Sequence, residues 1–232
     1  MDLTNTVYFL DFDHTLFHTD EFFHVDVRNA FLRFKINNAL WEQSYAAVWP
    51  TGYNPEKHVE ELKKISNTKL PFEEMNRVLK NSFSDLKRYI FPDVLAFLEY
   101  LIKNKTHNIR AYLLSFGNPE WQKYKVTSSG IHDYFDDIFF TAKEGTKIEI
   151  ILKQSERFQR VIIIDNNPAE LDLIKDDLPH ATTYCINRVP DDMLIPQNEL
   201  SRLKFLEARK YVQKPGRHQH IAIKTLNDIL SL

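Results

Sequence analysis

The chain has 232 residues, 43% of them hydrophobic and 13% aromatic, enough to bury one substantial core with a smaller appended module, so it is not a peptide-sized scaffold. Thirty Lys and Arg against 32 Asp and Glu leave a net charge of −2, which supplies no global positive field for a polyanion and excludes general nucleic-acid binding. The single cysteine, Cys185, excludes a disulfide-built fold, the absence of G-x-x-x-x-G-K-[ST] excludes a Walker-type ATP site, and apolar runs of about four residues fall far short of the roughly 18 that span a bilayer.

The first apolar run, Val7–Leu10, reads as the opening strand rather than as a signal peptide, and a soluble, cytoplasmic protein is expected. Two more such runs follow, Ile109–Leu114 and Val161–Ile164. Each of the three ends in a residue able to do chemistry: Asp11, Ser115 and Asp165. Short, uninterrupted, β-branched runs are what strands buried on both faces of a parallel sheet look like. The stretches between them carry helical spacing at Val94–Lys103, Glu120–Ser128, Lys147–Gln154 and Ala169–Asp176, so the fold class is α/β with a Rossmann-like parallel sheet.

Between the first two strands the chain is too long for a simple crossover. Residues 17–91 read as an inserted α-helical module, with helices at Asn29–Ile36, Leu40–Val48, Pro55–Ile65 and Phe72–Tyr89. The sheet domain is then discontinuous, 1–16 and 92–232, with Pro92 opening a helix on the return. Tyr184–Ile186 reads as an edge strand, and 187–219 as a weakly patterned insertion containing the basic residues Arg202, Lys204, Arg209, Lys210, Lys214 and Arg217. Ile221–Ile223 and Leu226–Leu230 read as a last strand and a short helix.

Asp11-Phe12-Asp13-His14-Thr15 places two carboxylates on alternate residues at a strand exit. Together with Ser115, Lys147 and Asp165-Asn166, in that order and context, this resembles the motif set of the haloacid dehalogenase (HAD) superfamily, over about 6–176 apart from the insert. The resemblance implies that Asp11 is a nucleophile accepting a phosphoryl group and that Asp13 is the general acid and base, with Thr15 orienting the pair. Ser115 and the backbone N–H groups of Phe116 and Gly117 would bind phosphate, with Lys147 adding positive charge and Lys143 its rival for that role.

Mg²⁺ is the implied cofactor, held by Asp11, the Asp13 carbonyl and the pair Asp165 and Asn166, with Glu170 an alternative acid. Asn166 departs from the commoner second aspartate of this motif. The helical insert resembles a cap domain that selects a small phosphorylated substrate, with Glu21, Phe22, His24, Trp41, Tyr45 and Trp49 as candidate contacts. The expected activity is that of a Mg²⁺-dependent phosphatase; a phosphomutase shares the motifs, and a non-catalytic binding protein retaining the fold is the rival of a different class. No membrane partner is expected. Dehalogenation is disfavoured, because haloacid dehalogenases lack a second acid at the position of Asp13.

Overall fold

In the computed structural model, residues 5–48, 52–66, 70–105, 108–143, 145–188 and 216–231 are described. Six parallel strands form one sheet in the order β3-β2-β1-β4-β5-β6. They are β1 (Thr6–Leu10), β2 (Ile109–Phe116), β3 (Asp137–Thr141), β4 (Arg160–Asp165), β5 (Thr182–Ile186) and β6 (Ile221–Ile223). β1 lies between β2 and β4, with Leu10 level with Leu113 and Ile164. The chain builds outward to β3 and then returns to the other side of β1, a reversal that opens a crevice at the carboxyl ends of the central strands.

Alternate residues face opposite layers, as the two-residue period requires. Tyr8, Leu10, Leu113, Ile162 and Ile164 pack with α5 (Val94–Lys103), while Val7, Phe9, Leu114, Val161 and Ile163 pack beneath α7 (Lys147–Ser155) and α8 (Pro168–Asp177). Three Asn-Pro dipeptides each start a helix: α3 (Pro55–Ile65), α6 (Pro119–Ser128) and α8. The Asn54, Asn118 and Asn167 side chains accept from Lys57, Trp121 and Ala169 N–H groups, and proline at the first helical position has no N–H to waste.

Residues between Phe17 and Phe91 are mainly helical: a π-helical turn, Glu21–Val27, then α1 (Arg28–Leu32), α2 (Asn38–Val48), α3 and α4 (Phe72–Ser82). Their apolar side chains are continuous with the sheet's through Phe12, Phe17, Phe22 and Trp121. Inside the insert, His58 is wholly buried among Phe31, Trp41 and Tyr53, with Ser44 Oγ at 2.8 Å and Tyr53 Oη at 3.2 Å from its two ring nitrogens. Burial lowers its pKa to about 4, so it packs as a neutral ring. The two linkers of the insert run side by side: His18 N–H donates to Tyr89 O at 2.7 Å and Phe91 N–H to Leu16 O at 3.1 Å.

Several sequence expectations are corrected. β3 was not anticipated, because Asp-Asp precedes its apolar residues and most of its side chains are only half-buried. Tyr184–Ile186 is no edge: β5 pairs with both β4 and β6. The helix expected to run to Tyr89 ends at Ser82, followed by a 3-10 turn at Lys87–Tyr89. Pro92 lies in a turn before α5, and the residue ahead of that helix, Asp93, points elsewhere. Most of the 187–219 segment, including the basic residues from Arg202 to Lys214, lies outside the described residues, as does Trp49. Arg217 is described, and its guanidinium meets Asp176 on α8 at 2.6 Å. No described helix is long and apolar enough to cross a membrane.

Asp93 and Arg188, each 8% exposed, form a bidentate pair at 2.9 Å. Asp93 also accepts from Leu226 N–H at 2.6 Å, and Arg188 donates to the Thr15 carbonyl at 3.0 and 3.1 Å while its guanidinium lies over the Phe91 ring. Removing one partner leaves a buried charge, a loss of about 3–5 kcal/mol. Arg188→Met is therefore expected to lower Tm by about 10 °C in a thermal melt, at the roughly 2–4 °C per kcal/mol typical of domains this size. Adding Asp93→Asn should recover part of the loss.

Candidate active site

Because β1, β2 and β4 are adjacent and in register, Asp11, Ser115 and Asp165 emerge at the same end of the sheet. Asp11 N–H extends the ladder, donating to Ile164 O at 2.9 Å, so the main chain of Asp11 is fixed before its side chain does anything. Lys147, the first residue of α7, reaches in from the far layer. Its Nζ donates to Asp11 Oδ1 at 2.7 Å and to Asp165 Oδ2 at 2.6 Å, and all three residues are buried. Lys143 is exposed, with its carbonyl accepting from Thr146 Oγ1.

Burial raises the Asp11 carboxyl to about 7, helped by the Asp165 charge and opposed by Lys147. For Lys147, burial works against the ammonium, but the two carboxylates outweigh it and hold its pKa above the usual lysine range. Asp165 Oδ1 accepts from Asn167 N–H at 2.8 Å, so each oxygen of that carboxylate has a partner. Glu170 Oε1 accepts from Gly145 N–H at 2.9 Å and so braces the loop that delivers Lys147.

Asp13 is gripped from another side. Lys125 Nζ donates to its two oxygens at 2.5 and 2.8 Å, Gln122 Nε2 to Oδ2 at 2.7 Å, and Thr19 Oγ1 to Oδ1 at 2.8 Å. Burial alone would raise the Asp13 carboxyl, but the Lys125 charge and the Lys125 and Gln122 hydrogen bonds outweigh it and hold it below the ordinary carboxylate range. The hydroxyl beside Asp13 is thus that of Thr19 rather than Thr15. Thr15 Oγ1 has no hydrogen-bond partner among the described residues, and Thr15 serves through its carbonyl, held by Arg188.

Gln122 and Lys125 escaped the sequence reading. The signal was present: on α6 they share a face with Trp121 and Val126, so the helix spends part of its buried face on an amide and an ammonium.

Ser115 Oγ is buried and likewise without a partner among the described residues, which is costly unless a ligand completes it. The loop after it departs from expectation. Gly117 N–H donates to Thr141 O at 2.9 Å, so in this structure it is committed to β3 and is not directed at a phosphate; Phe116 closes β2. Gly117 sits at φ +139°, and a Cβ there would lie 2.6 Å from Gln122 Nε2. Its lack of a side chain is what lets Gln122 bridge Phe116 O and Asp13. Gly52, at φ +79° in the insert, approaches the same loop so closely that a Cβ would meet Asn118 N at 2.5 Å.

The donors facing the crevice are hard oxygens. Asp11 Oδ2 and the Asn166 side chain make no hydrogen bond among the described residues, although Asp11 and Asn166 are both more than nine-tenths buried. With the Asp13 carbonyl they form a set suited to Mg²⁺. No group of three His, Cys, Asp or Glu side chains placed to hold a metal occurs among the described residues.

The sequence profile described as haloacid dehalogenase-like hydrolase matches residues 8–167. No curated protein sequence matches the chain. Among solved structures, a protein assigned as a haloacid dehalogenase-like hydrolase from Burkholderia xenovorans LB400 superposes with a TM-score of 0.72 at 14% identity, over 99% of this chain and 96% of that one. The L-2-haloacid dehalogenase of Xanthobacter autotrophicus gives 0.61 at 14% identity, over 99% and 98%. A protein assigned as the HAD hydrolase YfnB of Bacillus subtilis, bound to magnesium, gives 0.53 at 15%, over 88% and 98%. At such identities the structures establish the fold alone.

The Asp11 shift has a measurable consequence. Its folded pKa of about 7 lies above the ordinary 3.8, so the native state holds the proton more tightly, and that contribution to stability is lost as pH rises from about 4 to 7. Asp11→Asn removes this slope. In metal-free buffer the variant should match the wild type near pH 4 and exceed it by a few kcal/mol, to order of magnitude, at pH 7.5, read by denaturant melts at both values.

Proposed function

The chain belongs to the haloacid dehalogenase-like hydrolase family, and on that premise we propose that it is a Mg²⁺-dependent phosphatase acting on a small phosphate monoester through a phospho-Asp11 intermediate. The observation that carries the reading is the pair of aspartates on one strand exit, Asp11 held by Lys147 and Asp13 held by Lys125, with the Ser115 hydroxyl, unpartnered among the described residues, at the neighbouring strand end.

In this reading an Asp11 oxygen attacks phosphorus and the bond to the leaving oxygen breaks; Asp13, whose contact with Lys125 favours the carboxylate before substrate binds, takes up a proton as the phosphate dianion enters and delivers it to that oxygen. Asp13 then takes a proton from the water that attacks the aspartyl phosphate, releasing inorganic phosphate and restoring the Asp11 carboxylate. Ser115 Oγ donates to a phosphate oxygen, and Lys147 keeps Asp11 oriented while offsetting the charge that gathers around it. Asp11 Oδ2, the Asp13 carbonyl and the Asn166 amide oxygen would hold Mg²⁺. When bound, the ion supplies Lewis-acid charge to the phosphate oxygens.

The helical insert would act as the cap that admits a small substrate and excludes water; of its candidate contacts, Phe22 and Trp41 are buried in its core and Tyr45 packs half-buried beside Trp41. Asp13 favours phosphoryl transfer over dehalogenation, since a haloacid substrate needs no proton on its leaving halide.

Purified protein incubated with p-nitrophenyl phosphate should release nitrophenol only with Mg²⁺ present, and Asp11→Asn should abolish the release. Halide release from a 2-haloacid, with no turnover of any phosphate ester across a substrate panel, would refute the reading.

The amide at position 166 gives a further expectation. Asn166→Asp adds a carboxylate beside the ion and should tighten Mg²⁺ binding in calorimetric titration, while Asp165→Asn should free Lys147 from one partner and reduce turnover. Unchanged Mg²⁺ affinity in Asn166→Asp would remove this residue from the metal set.

A further inference from the structure

We propose that Lys125, with Gln122 beside it, is a positioning residue: it fixes the Asp13 carboxyl and acts on turnover through Asp13 alone. The role of Asp13 in the reaction rests on the phosphatase reading; the grip itself rests on geometry.

The Lys125 side chain is 5% exposed, against 23% for Asp13, so the lysine has given up nearly all of its water to make this contact. Its Nζ lies over the Phe12 and Phe17 rings, 5.2 and 5.5 Å from their centroids. A methionine or leucine would fill that slot without the desolvation of an ammonium, so packing does not call for a charge there. What the charge adds is two hydrogen bonds, one to each oxygen of Asp13. Gln122 adds a third and is itself fixed by Phe116 O, while Thr19 closes the ring from the other side. A carboxylate held by four hydrogen bonds from three residues has one orientation.

Lys125 is also set apart from the lysine that meets the nucleophile. Lys147 arrives on α7 and contacts Asp11 and Asp165; Lys125 arrives on α6 and contacts Asp13. α6 has a second attachment. Its Trp121 packs on Phe22, Tyr53 and Phe83 of the insert at centroid distances of 6.2, 6.2 and 5.0 Å, and Tyr124 stacks on Trp121 while donating to Phe83 O. The helix that orients Asp13 is therefore the helix on which the insert rests, and the placement of Asp13 depends on that packing.

Steady-state kinetics on p-nitrophenyl phosphate with Mg²⁺ test the proposal through a double-mutant cycle. Lys125→Met should lower kcat about 10- to 100-fold, less than the roughly 10²–10⁴-fold that losing a general acid itself costs, with KM changed by less than about threefold. In an Asp13→Asn background, Lys125→Met should cost nothing more, because its effect runs through the missing carboxylate. Losses that multiply in the double variant, or a KM that rises tenfold at unchanged kcat, would overturn the proposal and make Lys125 a structural or substrate-binding residue.

A second readout needs no turnover. Nitrogen-15 NMR of lysine ammonium groups should show a solvent-protected signal that vanishes in Lys125→Met and in Asp13→Asn and persists in Asp11→Asn. Its persistence in Asp13→Asn overturns the proposal. If the signal behaves as expected but no phosphate ester is hydrolysed, the positioning pair stands and the phosphatase reading falls.

Discussion

Three carboxylates meet at one end of a parallel sheet, and the Lys147 ammonium between Asp11 and Asp165 is what makes that tolerable. The register of β1 against β4 leaves Asp11 and Asp165 no freedom to separate, since Leu10 is level with Ile164 and the next residue of each strand is the acid. Two buried like charges in that position would drive each other toward neutrality. One lysine shared by both keeps them close, and it needs the loop before α7 to be delivered there, which is where Glu170 and Gly145 enter. Burial still raises the Asp11 carboxyl to about 7, a cost that the shared ammonium offsets only in part. On the phosphatase reading, a divalent ion would supply the further positive charge that these carboxylates accept.

Around that centre the chain uses further buried ion pairs to hold the loop after β1. Arg188 grips the Thr15 carbonyl from behind while its pair with Asp93 ties the start of α5 to the carboxyl-terminal segment. Lys125 and Gln122 grip Asp13 from the side. The loop thus carries side chains whose positions are set by residues more than 100 positions away in sequence, and the linkers of the helical insert leave from the same place. Rigid support on both sides lets the insert be attached here without loosening the acids that must stay within reach of one another.

How much of this was legible depended on whether a signal was local. The three central strands and the residues at their ends stood out because buried parallel strands write uninterrupted apolar runs, and because Asp11, Ser115, Lys147 and Asp165 each sit at an element boundary. β3 did not stand out: Asp137-Ile138-Phe139-Phe140-Thr141 is half-buried at the sheet edge and opens on acids that read as loop. Assigning β5 to the edge followed from the same difficulty, since β6 arrives only after a long segment of weak pattern. The D-x-D-x-T pattern assigns the orienting role to Thr15, whereas the turn at His14, with φ +60°, brings the hydroxyl of Thr19 to Asp13. Gly117 illustrates the limit of motif reasoning: its N–H is used by the sheet, and what the site needs from it is the missing Cβ that admits Gln122.

The central claim is that Asp11 becomes covalently phosphorylated during turnover. Acid quench of the enzyme during hydrolysis of a phosphate monoester, followed by borohydride reduction and peptide mass spectrometry, reads this directly, because reduction of an aspartyl phosphate leaves homoserine in place of the aspartate. The account predicts homoserine at position 11 in the Mg²⁺-containing reaction and none in the metal-free control. Steady turnover with position 11 unmodified, or with the label on another residue, would contradict it.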